Sequence, residues 1–364
     1  MKIVIVNLHK DDSSGGSEIQ CGIIADELSD KGHNVVYIAP REHSSFNPSR
    51  SYKYQLINTE SNSISLAREI IKTKPDVVYW RSYKKHILLP VFLLWLKKIP
   101  VVFAVSHLHD LDVSIHFKHR IEGARDIARL LRNVFYTLKQ KLAYKFVKQL
   151  ISLNTDFLDL LPGRRIIYVP NAMSLSNDKP FEWSKPFCVW VANLKSPKQP
   201  EFFVKLAKEF EESGIDFLMV GRYHSEFSEY GYIKDMAKTP KNFYYLGEVS
   251  PNQVNSILAS SILHIHTCLP EGFGNIFIQA WFNKIPSISL DFNPCSLLNG
   301  DFGIYCDGDY KMLSEATRKL TLDSELRERM GEKAYAYAIE NHSVVSLGNN
   351  IERILSDVVY KKRK

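Results

Sequence analysis

Short runs of apolar, often β-branched residues alternate along this chain with longer segments whose apolar residues recur at helical spacing. That alternation predicts a parallel sheet with helices packed on both faces. Lys2–Asn7, Asn34–Ala39, Asp76–Trp80, Val101–Val105, Gln149–Leu153 and Arg165–Val169 read as strands of a first domain. A proline-containing linker, Asp178–Pro186, interrupts the series. It restarts with Phe187–Val191, Asp216–Val220, Phe243–Leu246, Ile262–His266 and Ser287–Leu290. At 364 residues the chain exceeds the roughly 250–300 at which a single core stops growing, and its 45% hydrophobic content can fill two cores. The expected architecture is α/β, two doubly wound Rossmann-like domains facing across a cleft, with the ligand where the carboxyl ends of both sheets meet.

Other classes are argued against by what the chain lacks. Its longest apolar run, Ile87–Leu96, lies between Lys85 and Lys97-Lys98 and is too short for a bilayer span. The apolar start Ile3–Val6 meets Asp11-Asp12 too soon for a signal peptide. Cys21, Cys188, Cys268, Cys295 and Cys306 form no C-x-x-C pair, as expected of free thiols in a reducing cytoplasm. The absence of G-x-G-x-x-G argues against a dinucleotide-dependent oxidoreductase.

Chemistry enters at Pro270-Glu271-Gly272-Phe273-Gly274-Asn275, which follows the strand ending in His264-Ile265-His266 and runs into Ile276-Phe277-Ile278-Gln279. Gly272 and Gly274 let the backbone approach a ligand, and amides from Gly274 onward open the next helix, a ready anion site. Glu271 would repel a phosphate, so its place there points to a ligand that also carries hydroxyls needing a strong acceptor. A phosphate beside a polyol is a nucleotide sugar.

This segment resembles the C-terminal signature of retaining glycosyltransferases of family 4, which have the GT-B fold. The family motif is E-x7-E; here Glu271 stands first and Gln279 takes the second position. The resemblance implies that Glu271 contacts hydroxyls of the donor sugar and that Gln279 holds the ribose, without charge assistance. Ser14-Gly15-Gly16-Ser17-Glu18 resembles the family's GG-x-E loop, whose backbone approaches donor phosphate and acceptor. Val169-Pro170-Asn171-Ala172 resembles V-P-N-G, with Ala for Gly. Trp190–Lys198 resembles G-R-L-x-x-x-K: Lys198 keeps the ammonium that would neutralise the leaving diphosphate, while Asn193 stands at the Arg position. Lys195 or Arg222 is a candidate to supply the missing charge, and Gly221, Arg222, Gly272, Phe273, Gly274 and Asn275 complete the donor-binding set with Gly15, Gly16, Asn193 and Gln279.

Ser106-His107-Leu108-His109-Asp110 resembles T-x-H-D, which would place His109 near the reacting sugar. Asp110-Leu111-Asp112 imitates the D-x-D metal motif of the GT-A fold, but that fold leaves the second doubly wound half unexplained. Neither a metal nor another cofactor is expected, since no His/Cys cluster has metal spacing. The resemblance divides the chain into an acceptor-side domain, 1–175, and a nucleotide-sugar domain, 186–345, with a final helix over 346–364 crossing back to the first.

Charge adds a partner. The chain carries +7 overall, and His116–Gln149 alone holds nine Lys/Arg against Glu122 and Asp126. Phe117, Ile121, Ile127, Leu130, Leu131, Val134, Phe135, Leu138, Leu142 and Phe146 recur there at helical spacing, so 118–148 reads as a basic amphipathic helix or helix pair. It suits an anionic membrane surface, or a core-packing helix with a solvated basic face. Nucleic acid is not expected, because the C-terminal domain offers no continuous basic track. The expectation is a cytoplasmic, metal-independent, retaining glycosyltransferase, peripheral on the inner face of the membrane. It would pass a sugar to a lipid-linked or oligosaccharide acceptor in bacterial surface-polysaccharide assembly. A nucleotide-sugar epimerase of similar architecture and a non-catalytic scaffold are the alternatives.

Overall fold

The computed structural model describes residues 1–12, 15–41, 51–106, 110–111, 124–161, 163–174, 179–269 and 273–360. The chain forms two compact units, Met1–Ala172 with Val344–Lys364, and Met173–Ser343. The first is built on strands β1 (Lys2–Val6), β2 (Asn34–Arg41), β3 (Gln55–Glu60), β4 (Val77–Arg81), β5 (Val101–Val105), β6 (Gln149–Ser152) and β7 (Ile166–Tyr168). They pair in parallel in the order β3-β2-β1-β4-β5-β6-β7, with Ile3 level with Val35 and Val77. All five residues of β4 and of β5 are buried. That is why these strands read as continuous apolar runs with no alternation: both faces of the sheet are covered.

Helices α1 (Gly16–Asp30), α2 (Ser63–Lys72), α3 (Leu88–Leu96) and α4 (Ala124–Tyr144) connect these strands. Leu66 and Ile70 of α2, Val91 and Leu94 of α3, and Ala143 and Tyr144 of α4 share one face of the sheet, while Cys21, Ile24 and Leu28 of α1 cover the other. The second unit repeats the plan with β8 (Phe187–Val191), β9 (Asp216–Val220), β10 (Phe243–Gly247), β11 (Leu263–His266), β12 (Ser287–Ser289) and β13 (Gly303–Tyr305), in the order β10-β9-β8-β11-β12-β13. Its helices are α5 (Pro200–Glu209), α6 (Pro251–Ser260), α7 (Asn275–Phe282), α8 (Tyr310–Leu322) and α9 (Ser324–His342). The last helix, α10 (Val344–Tyr360), returns to the first unit and buries Leu347, Ile351 and Leu355 in the cluster that holds α1. In each sheet the order reverses beside the first strand, between β1 and β4 and between β8 and β11. Such switch points are where doubly wound sheets receive ligands.

Three features differ from the sequence-based reading. Strands β3 and β13 were not expected. β3 is an edge strand of mixed polarity with three of its six residues exposed, and β13 has three residues, so neither presents an apolar run. The proline-containing stretch is no free linker. Phe181 and Trp183 pack on the second unit, where the Trp183 indole donates to Asp216 at 2.9 Å and its ring meets Tyr244 edge-on, removing large aromatic faces from water. Helix α4, finally, turns polar residues inward. Thr137 and Gln140 are fully buried with Ala143 and Tyr144, and the Gln140 amide donates to the Tyr144 hydroxyl, whereas Leu131, Phe135, Leu138 and Leu142 are 44 to 65% exposed. The part of the basic segment before residue 124 lies outside the described residues.

Candidate active site

The second unit gathers most of the expected site residues at the carboxyl ends of β8, β9 and β11. The chain leaves β8 through Ala192-Asn193 and passes directly over the end of β9. There Gly221 has φ of 149°, and a side chain would run into the Ala192 carbonyl oxygen. Glycine is demanded by the close approach of two backbones. The Leu194 amide donates to the Arg222 carbonyl at 2.9 Å, and the Arg222 amide donates to the Asn193 side-chain oxygen at 3.2 Å. Asn193 thus braces the two loops against each other. The Arg222 guanidinium lies on Glu248 at 2.7 Å, both side chains more than half exposed.

Lys198 closes a 3-10 turn, Ser196–Lys198, that is tied to the loop after β11. The buried Thr267 hydroxyl donates to the Lys198 carbonyl at 2.7 Å and accepts from the Trp190 indole at 2.9 Å. The Leu269 amide donates to the Pro197 carbonyl at 2.9 Å. The following residue, Gln199, has φ of 48° and caps α5 while its amide donates to Asp291 at 2.8 Å. The lysine is therefore carried between β8 and α5 on a turn pinned at several points, two of them by Thr267 and Leu269 of the loop that leads from β11 toward Glu271. Glu271 and Gly272 themselves, and His109 in the first unit, lie outside the described residues.

Two histidines underlie this turn. His264 and His266 point to the same face of β11, within hydrogen-bond distance of Ser287 (3.0 Å) and Ser289 (3.2 Å) on β12, with Phe277 packed against both rings. Burial drives both pKa values well below the ordinary range; at His266 the nearby Lys198 charge pushes the same way, and at His264 the neighbouring His266 does. Both rings are neutral at physiological pH, so neither adds positive charge beside Lys198.

Helix α7 begins at Asn275 and is capped by Gly274 (φ 78°), which has no side chain to bond the first turn. Phe273 is buried at 1% exposure against Trp281 and His342, so its ring is part of the core. Gln279 is half-buried, and its amide donates to Asn255 on α6 at 3.1 Å.

In the first unit Gly15 caps α1, and the Glu18 carboxylate is folded against it in the first turn, where the helix N-terminus favours negative charge. Gly16 is exposed. Sequence reasoning missed the residues that fix the neighbouring loop. The buried Gln20 side chain clamps Ala172, donating to its carbonyl at 2.5 Å and accepting from its amide at 2.9 Å. Arg81, 4% exposed at the end of β4, donates to Asn171 at 2.8 Å and to Ser106 at 3.3 Å. A polar residue ending an otherwise apolar strand, as in Val77–Arg81, was the available signal. Asp110 accepts from the Ser106 amide at 3.1 Å and from Lys84 at 3.2 Å, so its carboxylate serves the loop, while Asp112 of the D-x-D stretch lies outside the described residues. Among the described residues no group of three or more His, Cys, Asp or Glu side chains is placed to hold a metal ion, and no helix is long and apolar enough to cross a membrane.

Residues 175–337 match the family model described as "Glycosyl transferases group 1". No curated protein matches the sequence. Among solved structures, sucrose-phosphate synthase from Thermosynechococcus elongatus aligns at a TM-score of 0.78 with 12% identity over 98% of each chain. Anabaena HepE, solved with UDP and glucose, aligns at 0.72 with 17% identity over 98% of this chain and 100% of that one. WaaG, a glycosyltransferase involved in lipopolysaccharide biosynthesis, aligns at 0.72 with 15% identity over 97% of this chain and 99% of that one. The family match and these neighbours together support a glycosyltransferase, and the chain has the GT-B fold: two parallel-sheet α/β units, the second carrying the group 1 match.

Proposed function

We propose that this protein transfers a sugar from a nucleotide-sugar donor, with retention of configuration and without a metal, to a lipid-linked or oligosaccharide acceptor. The observation that carries the reading is the convergence at the carboxyl end of the second sheet. Lys198 sits on a turn between β8 and α5, beside two neutral histidines, and that turn is pinned to the loop leading from β11 to Glu271 and the amino end of α7. A cation and the backbone amides of a helix amino end suit a diphosphate, and Glu271 supplies an acceptor for sugar hydroxyls. The UDP and glucose in the Anabaena structure support the same donor class.

In this reading the diphosphate departs from the face on which the acceptor hydroxyl arrives, through an oxocarbenium-like state, and helps to take the acceptor's proton. Lys198, with the amides near Gly15, Gly16 and Gly274, stabilises charge that grows on the leaving group. Glu271 holds the sugar, His109 lies near the reacting centre, Asn193, Gly221, Arg222, Phe273 and Asn275 contribute to the donor pocket, and Gln279 meets the ribose. No side chain acts as a covalent nucleophile. The bacterial surface-polysaccharide setting is supported by WaaG as a neighbour. A peripheral place on the inner face of the cytoplasmic membrane is supported by the outward apolar stripe of α4 among its lysines and arginines. One observation favours a non-catalytic scaffold: Asn193 and Gln279, where the family carries charge, already hydrogen-bond within the protein.

A panel of nucleotide sugars, followed for donor consumption with and without membrane extract, separates the readings. Acceptor-dependent consumption supports transfer, acceptor-independent interconversion of donor means an epimerase, and no consumption means a scaffold. Glu271→Ala is expected to abolish transfer while nucleoside diphosphate affinity, read by calorimetry, changes less than tenfold, about 1.4 kcal/mol. A larger loss of nucleotide affinity refutes the assignment of Glu271 to the sugar.

A further inference from the structure

We propose that the outer face of α3 and α4 binds one anionic lipid, with the phosphate in a cationic pocket and a hydrocarbon chain in an adjoining apolar groove. Two cavities of about 390 Å³ each meet there at Phe146. The groove is lined chiefly by Leu88, Leu89, Phe92, Leu142 and Phe146. The pocket brings together Lys98, Lys145, Lys148 and Arg164, and among the described residues no carboxylate lines it. Lys145, Lys148 and Arg164 gather like charge around one small cavity, and a phosphate offsets their repulsion.

The wall between the two cavities favours a lipid over a soluble anion. Phe92, Trp95 and Phe146 pack on one another with ring centroids 5.1 to 6.1 Å apart, and Trp95 and Leu96 remain 52 and 55% exposed. Leu131, Phe135 and Leu138 continue the apolar surface along α4. An apolar patch with aromatic residues beside lysines matches the boundary between headgroups and acyl chains. A nucleic acid or a free phosphate would leave that patch in water.

Position decides the role. Lys98, Lys148 and Arg164 precede β5, β6 and β7, so the pocket lies at the amino ends of the strands, opposite the edge proposed for sugar transfer. A lipid held there anchors the enzyme and is not the acceptor. The inference rests on the membrane-surface reading given above but not on catalysis.

Trp95 reports on the site directly, because Trp80, Trp190 and Trp281 are buried and Trp183 is partly covered. Vesicles of brominated phosphatidylglycerol are expected to quench its fluorescence, those of brominated phosphatidylcholine to do so far less, and Trp95→Phe to remove the signal. Replacing Lys98, Lys145 and Lys148 together by Gln is expected to weaken vesicle binding about a hundred-fold, in a salt-sensitive way. Leu89→Gln with Leu142→Gln, at exposed positions that spare the fold, is expected to abolish quenching. The proposal is overturned if both vesicle types quench parent and triple variant alike. It is also overturned if inorganic phosphate binds the pocket equally well in the leucine variant while vesicles do not bind the parent, or if the parent self-associates through this face, loses that with Leu142→Gln and ignores vesicles. Calorimetry with nucleoside diphosphate on the same variants reads the donor proposal separately.

Discussion

Thr267→Val removes a single hydroxyl and nearly preserves shape, so its effect isolates the tether that holds the Lys198 turn. Thr267 is fully buried; its hydroxyl accepts from the Trp190 indole and donates to the Lys198 carbonyl. Trp190 is 1% exposed, and its N–H would be left without a partner at a cost of about 1–3 kcal/mol. The Lys198 carbonyl is only partly buried and regains water, adding about 0.5–1 kcal/mol. The extra methyl returns up to about 0.8 kcal/mol, leaving a net loss near 2 kcal/mol. For a unit of this size that lowers Tm by about 4–8 °C. The turn keeps its bond from Leu269 to Pro197 but loses the one nearest the lysine, so turnover is expected to fall about tenfold, near 1.4 kcal/mol in the barrier, with donor KM little changed. Scanning calorimetry and steady-state kinetics measure both quantities. Thr267→Ser keeps the hydroxyl, loses a methyl worth about 1 kcal/mol, and should retain turnover. Parental turnover in the valine variant, or a serine variant as impaired as it, refutes the tether.

Lys198→Ala should lower turnover more than it raises donor KM, because the ammonium acts on charge that develops as the diphosphate leaves; a change confined to KM would reduce it to ground-state binding. Gly221→Ala should destabilise the second unit by about 3 kcal/mol or more, since strain at its φ adds to collision with the Ala192 carbonyl. Gly214→Ala, also at positive φ but with open space around it, should cost only about 1 kcal/mol, and equal costs in urea titration would contradict the close-approach argument. Acidification should destabilise the second unit below pH about 6.5. His264 and His266 are neutral when folded because burial lowers their pKa values, whereas the unfolded chain protonates them near 6.5, so their contribution is present above that pH and lost as pH falls. The limiting slope is about 1.4 kcal/mol per pH unit for each ring, and a His264→Gln variant with an unchanged Tm-versus-pH slope would show that the ring is not buried neutral.

The sequence by itself determined the architecture. Strands covered on both faces must be apolar throughout, so the central strands and the double winding were legible, and the acidic-glycine turn before α7 pointed to a nucleotide sugar. Edge strands β3 and β13 were not legible, because a strand covered on one face or three residues long leaves no run to read. What only the tertiary structure decided are contacts between residues far apart in the chain. Periodicity marked α4 as amphipathic but carried no sign for direction; the fold set Thr137, Gln140 and Tyr144 inward and turned the leucine stripe out. Gln20 reaches Ala172 across 152 positions and Thr267 reaches Lys198 across 69, and pairings at such separations arise only when the sheet brings its loops to one edge. Motif spacing could propose Lys198 as the cation of the site, but burial of His264 and His266 beneath it, which keeps both rings neutral, exists only once β11 is closed in by β12 and α7.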